Sequence, residues 1–154
     1  MKLSTRLLLF LLFFTFLFTA CTSGPKSKLI SSEKIWEESG INNYQISIQV
    51  IQSIWHLQIY NLTVENGLVI DSSSSCIPAP YEGRKCTIKS FDPDEFTIPA
   101  LFSLAEQQIK SQQSKWVKLD YDPDFGFPIM ISFNDPDILD EDWSYQVIFF
   151  TKMD

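Results

Sequence analysis

Histidine occurs once among the 154 residues, at His56, so the commonest general base and metal ligand is missing from almost every position. One imidazole cannot build a histidine-rich zinc site. A Ser–His or Cys–His nucleophilic pair would have to use His56, and alternation along its segment puts it opposite Trp55 and Leu57, on a polar face. Five glycines stand singly, which excludes a phosphate-cradling loop, and no Gly-x-Ser-x-Gly elbow is present. No Cys-x-x-Cys pair occurs. Basic residues are also few, with 12 Lys and Arg against 19 Asp and Glu and a net charge of −7. None lies between Lys118 and Lys152. This balance excludes a nucleic-acid partner and points away from anionic lipid held through a basic patch. The acidity itself reads as solubility. No apolar run reaches the length of about 20 residues that a membrane-crossing helix needs.

What is present begins with residues 1–21. Lys2 and Arg6 precede an apolar run, residues 7–18, interrupted by Thr15, and small residues follow. That is the build of a secretory signal peptide, residues 1–20. Phe18-Thr19-Ala20-Cys21 resembles the lipobox of bacterial lipoproteins, with Phe18 where leucine is usual. The resemblance implies a mature chain beginning at Cys21, which carries a diacylglyceryl group and usually a further acyl chain such as palmitate. It also implies that Thr22 favours the outer membrane if the cell has one. Acyl chains anchor by burying methylenes, each contributing roughly 0.8 kcal/mol. Loss of Lys2 and Arg6 with the leader takes the net charge from −7 to −9 and leaves 134 residues, enough for one domain with its own core.

Cys76 and Cys86 remain. An even pair in an exported chain reads as a disulfide, closing a loop worth about 2–3 kcal/mol in the chain-entropy model. Residues 21–30 read as a lipidated tether and 31–154 as a single domain. Within the domain, residues 31–40 suit a short helix, with Ser32 as cap, Ile35 and Trp36 as its apolar pair and Gly40 as its end. Tyr44, Ile46, Ile48 and Val50 alternate as a half-buried strand. Trp55, Leu57 and Ile59 continue in a second, whose apolar parity flips at Asn61 toward Leu62 and Val64, as a bulge there would produce. Asn66-Gly67 signals a hairpin that returns over residues 68–70. Residues 72–96, with four successive serines, three prolines and both cysteines, read as a long irregular segment held by the disulfide. Residues 97–113 form the clearest helix, with Thr97 as cap, Pro99 in the first turn and Ile98, Leu101, Phe102, Ala105 and Ile109 on one stripe. Three strands follow, carried by Val117/Leu119/Tyr121, Phe127/Ile129/Ile131/Phe133 and Trp143/Tyr145/Val147/Phe149. Pro128 places the start of its strand, or an edge, at that residue. The order helix-βββ-helix-βββ predicts an α+β fold in which two helices pack an antiparallel sheet as a two-layer sandwich. Its repetition raises an internal duplication, without a residue-level repeat to support it.

Two acidic clusters are the candidate metal ligands. Asp120, Asp122 and Asp124 alternate as in a calcium loop, but such a loop wants glycine and glutamate where Phe125 and Ile131 stand. Asp135, Asp137 and Asp140 lie in the next connection, and a meander puts the two turns at opposite ends of the sheet. The competing reading is Asp-Pro turn chemistry, with carboxylates accepting backbone amides. Trp116 has parity opposite to Val117 and Leu119 and is the candidate exposed contact.

Several segments, WEESGINNYQISIQV, VENGLVID, FTIPALFSLAEQQI, VKLDYDPDFGFPIMISFND and DEDWSYQVIFF, resemble in order the family catalogued as domain of unknown function 6174. The resemblance covers roughly residues 35–150, and the run from Asp122 to Pro128 is its most specific piece. Many relatives carry Cys-x-Cys where this chain has Ile54-Trp55-His56, and Cys76 and Cys86 are the candidate substitute. The family implies small exported or lipid-anchored bacterial proteins and no activity. The leading expectation is therefore a lipid-anchored envelope protein, outside the cytoplasm, that is a non-enzymatic binding or interaction module with no cofactor and an envelope protein as partner. A calcium-binding envelope protein using the acidic loops is the alternative, and an unrecognised hydrolase the third.

Overall fold

The computed structural model describes residues 24–53, 56–77, 86–111, 113–138 and 142–154. The leader, Cys21, Trp55 and Asp140 lie outside the described residues, as does the side chain of His56. The elements are α1 (Pro25–Ser39), β1 (Tyr44–Ser53), β2 (His56–Glu65), β3 (Leu68–Ile77), a 3₁₀ turn (Pro93–Phe96), α2 (Ile98–Lys110), a second 3₁₀ turn (Ser114–Trp116), β4 (Val117–Tyr121), β5 (Pro128–Phe133) and β6 (Trp143–Lys152). The fold is α+β. Its strands form one antiparallel sheet in the order β3-β2-β1-β6-β5-β4. No helix among the described residues is long and apolar enough to cross a membrane.

Two meanders meet at β1 and β6. The first starts at the centre and runs outward, whereas the second starts at the edge and runs inward.

α1 starts at Pro25, six residues before the expected helix, so residues 25–30 are helix rather than tether. Pro25 suits the first turn because its missing N–H has no intrahelical partner there in any case. Ser32 is a buried mid-helix residue and no cap. Leu29, Ser32 and Trp36 make the buried stripe, while Ile35 is 43% exposed. The helix ends at Gly40 as expected. Trp36 meets Tyr44, Phe127 and Phe150 edge-on, at centroid distances of 5.7, 5.9 and 6.2 Å. α2 follows its sequence signals. The Thr97 hydroxyl accepts from the Ala100 amide, Pro99 sits in the first turn, and Ile98, Leu101, Phe102 and Ala105 are buried. The Tyr44 hydroxyl accepts a further first-turn amide, from Ile98 at 3.2 Å, and ties β1 to the helix start.

The parity of β2 differs from expectation. Gln58, Tyr60, Leu62 and Val64 all face the core, opposite Val50, Ile48, Ile46 and Tyr44 of β1, with unbroken register through Asn61. Leu57 and Ile59 therefore point to the other face. Bulges lie elsewhere, among them one between Thr63 and Val64 on the β3 side and a second at Ser47/Ile48 opposite β6. The second one shifts the apolar face of β6 from odd to even positions, so Phe150 joins the core and Phe149 is 49% exposed. β3 runs to Ile77, and the serines at 72–75 are strand rather than loop. Asn66 and Gly67 turn the β2–β3 hairpin at φ 52° and 75°, the left-handed pair that this tight turn requires. β5 begins at Pro128 and lies inside the sheet.

Gln58 is fully buried and completes a strand-like exchange with the segment after Cys86. Its Nε2 donates to the Lys89 carbonyl at 3.0 Å, and its Oε1 accepts from the Lys89 amide at 3.1 Å. Cys76 and Cys86 form a disulfide, and Phe91 and Phe96 of the following residues pack on Tyr60. The latter half of the expected irregular segment is thus fixed at three points. Gln58→Ala leaves both Lys89 groups without their partner and is expected to destabilise the chain by about 2 kcal/mol. Amide exchange at Lys89 should accelerate while the Trp36 region keeps its protection. Unchanged exchange at Lys89 would contradict this role.

Candidate functional site

The acidic turns are built from local backbone chemistry. Asp122 caps the β4–β5 turn, its Oδ1 accepting from the amides of Asp124 at 3.0 Å and Phe125 at 2.7 Å. Asp120 lies within β4 and pairs with Lys118 at 3.2 Å. Asp135 accepts from the Asp137 amide at 3.0 Å in the β5–β6 connection. The two turns stand at opposite ends of β5. Among the described residues, no group of three or more His, Cys, Asp or Glu side chains converges as a metal site would require.

A cleft of about 500 Å³ opens between the first 3₁₀ turn and α2, where Asp94, Glu95, Ser103, Gln107 and Tyr145 meet. The Ser103 hydroxyl donates to the Pro99 carbonyl of its own helix at 3.1 Å. Burial raises the Tyr145 phenol above its ordinary range, and the charge of Glu95 adds to the effect. The cleft therefore offers hydrogen bonds to a ligand rather than an activated nucleophile.

Trp116 is half-buried in the second 3₁₀ turn. The Lys115 ammonium covers its ring at 4.5 Å from the centroid, and its carbonyl accepts from the Asn134 amide at 3.2 Å. It is not the centre of exposed apolar surface.

That surface lies on the sheet face turned away from the core. Three registered rungs cross β1, β2 and β3 there. Ser47, Asn61 and Ser73 form a hydrogen-bonded polar rung, Ser47 donating to Asn61 at 2.7 Å and Asn61 to Ser73 at 3.4 Å. Gln49, Ile59 and Ser75 come next, and Ile51, Leu57 and Ile77 make an apolar rung beside the disulfide. Ile77 is 47% exposed. Sequence reasoning missed this rung because it assigned Leu57 and Ile59 to the core. The signal available was Gln58, whose neighbours Tyr60, Leu62 and Val64 share its parity.

A second surface surrounds the start of α1. It is a groove of about 640 Å³ whose floor is Ile109, Val117, Leu119 and Tyr121 and whose rim is Lys26, Lys28, Lys115 and Lys118. The Lys28 ammonium lies 5.5 Å from the Tyr121 ring centroid. The Tyr121 hydroxyl is buried without a hydrogen-bond partner among the described residues. Burial first, and the charge of Glu33 second, push this phenol up to about 12.

The sequence model of a family of unknown function, DUF6174, matches residues 28–152, which covers the sheet, α2 and nearly all of α1. No curated protein and no solved structure matches the chain.

Proposed function

The chain belongs to the DUF6174 family, and from that premise we propose that it is a lipid-anchored protein of the cell envelope, acylated at Cys21 and displaying a non-enzymatic interaction module outside the cytoplasm. The observation that carries the reading is the run Phe18-Thr19-Ala20-Cys21 after a short apolar stretch with a basic start. The described elements begin at Pro25, four residues after that cysteine, so an acyl group there would lie close to the folded body. The body is a two-layer arrangement, with both helices on one side of the sheet. Burial supports this, since Leu29, Trp36, Ile98 and Leu101 share one core with Tyr44, Ile46, Ile48 and Val50 of the inward sheet face.

The interaction surface is the outward sheet face. Its apolar rung of Ile51, Leu57 and Ile77, bordered by serine, asparagine and glutamine, suits a partner protein with a complementary flat apolar patch. Two parts of the reading are tested together in cells. Cys21→Ser is expected to leave the unprocessed or unacylated chain and to remove the processed form from detergent-extracted membranes. A photo-crosslinking residue at Leu57 is expected to give a discrete adduct in the anchored protein, and one at Lys152 is not. Equal retention of a processed Cys21→Ser chain in membranes would remove the anchor. Equal labelling from both positions would remove the interaction face.

A further inference from the structure

Net charge points away from anionic lipid, but folding sorts that charge unevenly. Of the basic residues that follow the leader, four rim the one groove at the start of α1, and no Asp or Glu lines it. Lys118 shares its charge with Asp120 at 3.2 Å. No carboxylate among the described residues comes within ion-pair distance of Lys26, Lys28 or Lys115, and the nearest acidic influences are Glu106, which feels the Lys26 charge, and Glu33, beside the Tyr121 phenol. The first turn of α1 carries no acidic residue and no side-chain cap, so its free amides add partial positive charge to the same rim. The floor is apolar apart from the Tyr121 hydroxyl. A cationic rim over an apolar floor is complementary to a molecule with an anionic head and a hydrocarbon body.

Chain length says where such a molecule would come from. Gly24 and Pro25 line the groove, and Gly24 is three residues from Cys21. Three residues span about 10 Å at full extension. An acyl group on Cys21 therefore holds the Gly24 end of the groove within about 10 Å of the bilayer surface. Lys26, Ile30 and Lys34 continue along the exposed side of α1, with Ile30 56% exposed, so the neighbouring helix face has the same mixed character.

We propose that this groove docks an anionic phospholipid of the membrane that holds the chain, with its phosphate among Lys26, Lys28 and Lys115 and the start of its acyl chain over Ile109, Val117 and Leu119. The inference rests on the anchored reading above and adds an orientation to it. With α1 and the β4 edge against the lipid, the outward sheet face near β3 is left clear for a partner, because β3 and β4 are opposite edges of the sheet.

The test uses the mature-length chain beginning at residue 21 with Cys21→Ser, so that no acyl group contributes. Flotation with vesicles containing phosphatidylglycerol is compared with flotation on pure phosphatidylcholine, at low and at physiological salt. Binding is expected on the anionic vesicles only. Lys26→Ala/Lys115→Ala is expected to weaken it about thirtyfold, while Lys89→Ala/Lys152→Ala, which removes the same charge elsewhere, is expected to leave it within about twofold. Circular dichroism of each variant establishes that the fold is intact. Absence of preference for anionic vesicles, or equal loss in both pairs, overturns the proposal. Neither result touches the anchor, which is read separately from the mass of the acylated Cys21 peptide in the wild-type chain.

Discussion

Trp36→Ala is expected to lower stability by about 4 kcal/mol, the cost typical of emptying a buried tryptophan site. Trp36 is 8% exposed and contributes the only tryptophan of α1. Its ring is edge-on to Tyr44 of β1, Phe127 before β5 and Phe150 of β6, so one side chain joins the helix to the centre of the sheet and to the β4–β5 turn. Such edge-on pairs contribute about 0.5–1.5 kcal/mol each beyond area burial, which places this substitution at the upper end of its range. Thermal unfolding followed by circular dichroism should show a fall of roughly 15 °C for a chain of this size. A fall of less than about 4 °C would mean that α1 is not docked through Trp36.

Gly126→Ala is expected to cost about 3 kcal/mol from two sources that act together. Gly126 has φ +78°, a conformation that L side chains rarely adopt. An added Cβ would also run into the Ser32 carbonyl and stand 2.9 Å from the Ile35 Cβ. The first obstacle is backbone in the middle of α1, and it cannot swing aside as the end of a flexible side chain could. The chain must then either lift α1 from the β4–β5 turn or distort a turn already fixed by Asp122, whose backbone carbonyl accepts from the Gly126 amide at 3.0 Å. The expected reading is a melting temperature about 10 °C lower, with the summed tryptophan fluorescence, to which Trp36 contributes, shifted to the red in the folded baseline. Gly24→Ala, where an added Cβ meets nothing within 4 Å, is the control and should cost no more than about 1 kcal/mol, the loss of a glycine N-cap. Comparable losses at both glycines would contradict close docking of α1 on the turn.

The strongest periodic elements could be read directly from the chain. Alternation from Tyr44 to Val50 and the Thr97-capped stripe of α2 gave the correct faces because propensity, pattern and burial agree there. The Asn66-Gly67 turn and the Cys76–Cys86 pair were equally legible, since each is a local chemical requirement. In β2 hydrophobicity does not mark the inward face. Gln58 is buried by pairing with the Lys89 backbone, and Leu57 and Ile59 occupy the half-exposed face; that exchange depends on a segment 31 residues away. The serines at 72–75 were misjudged for a related reason. Serine looks like loop in isolation, but at a sheet edge the ladder with β2 decides.

The start of α1 failed for a different reason. Residues 25–30 have a proline and few apolar positions, and only Leu29 reaches the core, so the pattern is too sparse to announce a helix. That extra length carries Lys26 and Lys28 to the groove, which sequence proximity alone could not assemble with Lys115 and Lys118. The acidic turns, by contrast, were legible as turns. Asp122 and Asp135 accept the amides that Asp-Pro chemistry calls for.

The anchor proposed at Cys21 is the premise from which the orientation of the groove and the availability of the outward sheet face both follow. Mass spectrometry of the amino-terminal peptide, released from the full-length chain extracted from membranes, tests it most directly. The account predicts a peptide beginning at Cys21 and carrying a diacylglyceryl thioether. A peptide beginning at Met1, or one with an unmodified thiol at Cys21, would contradict it.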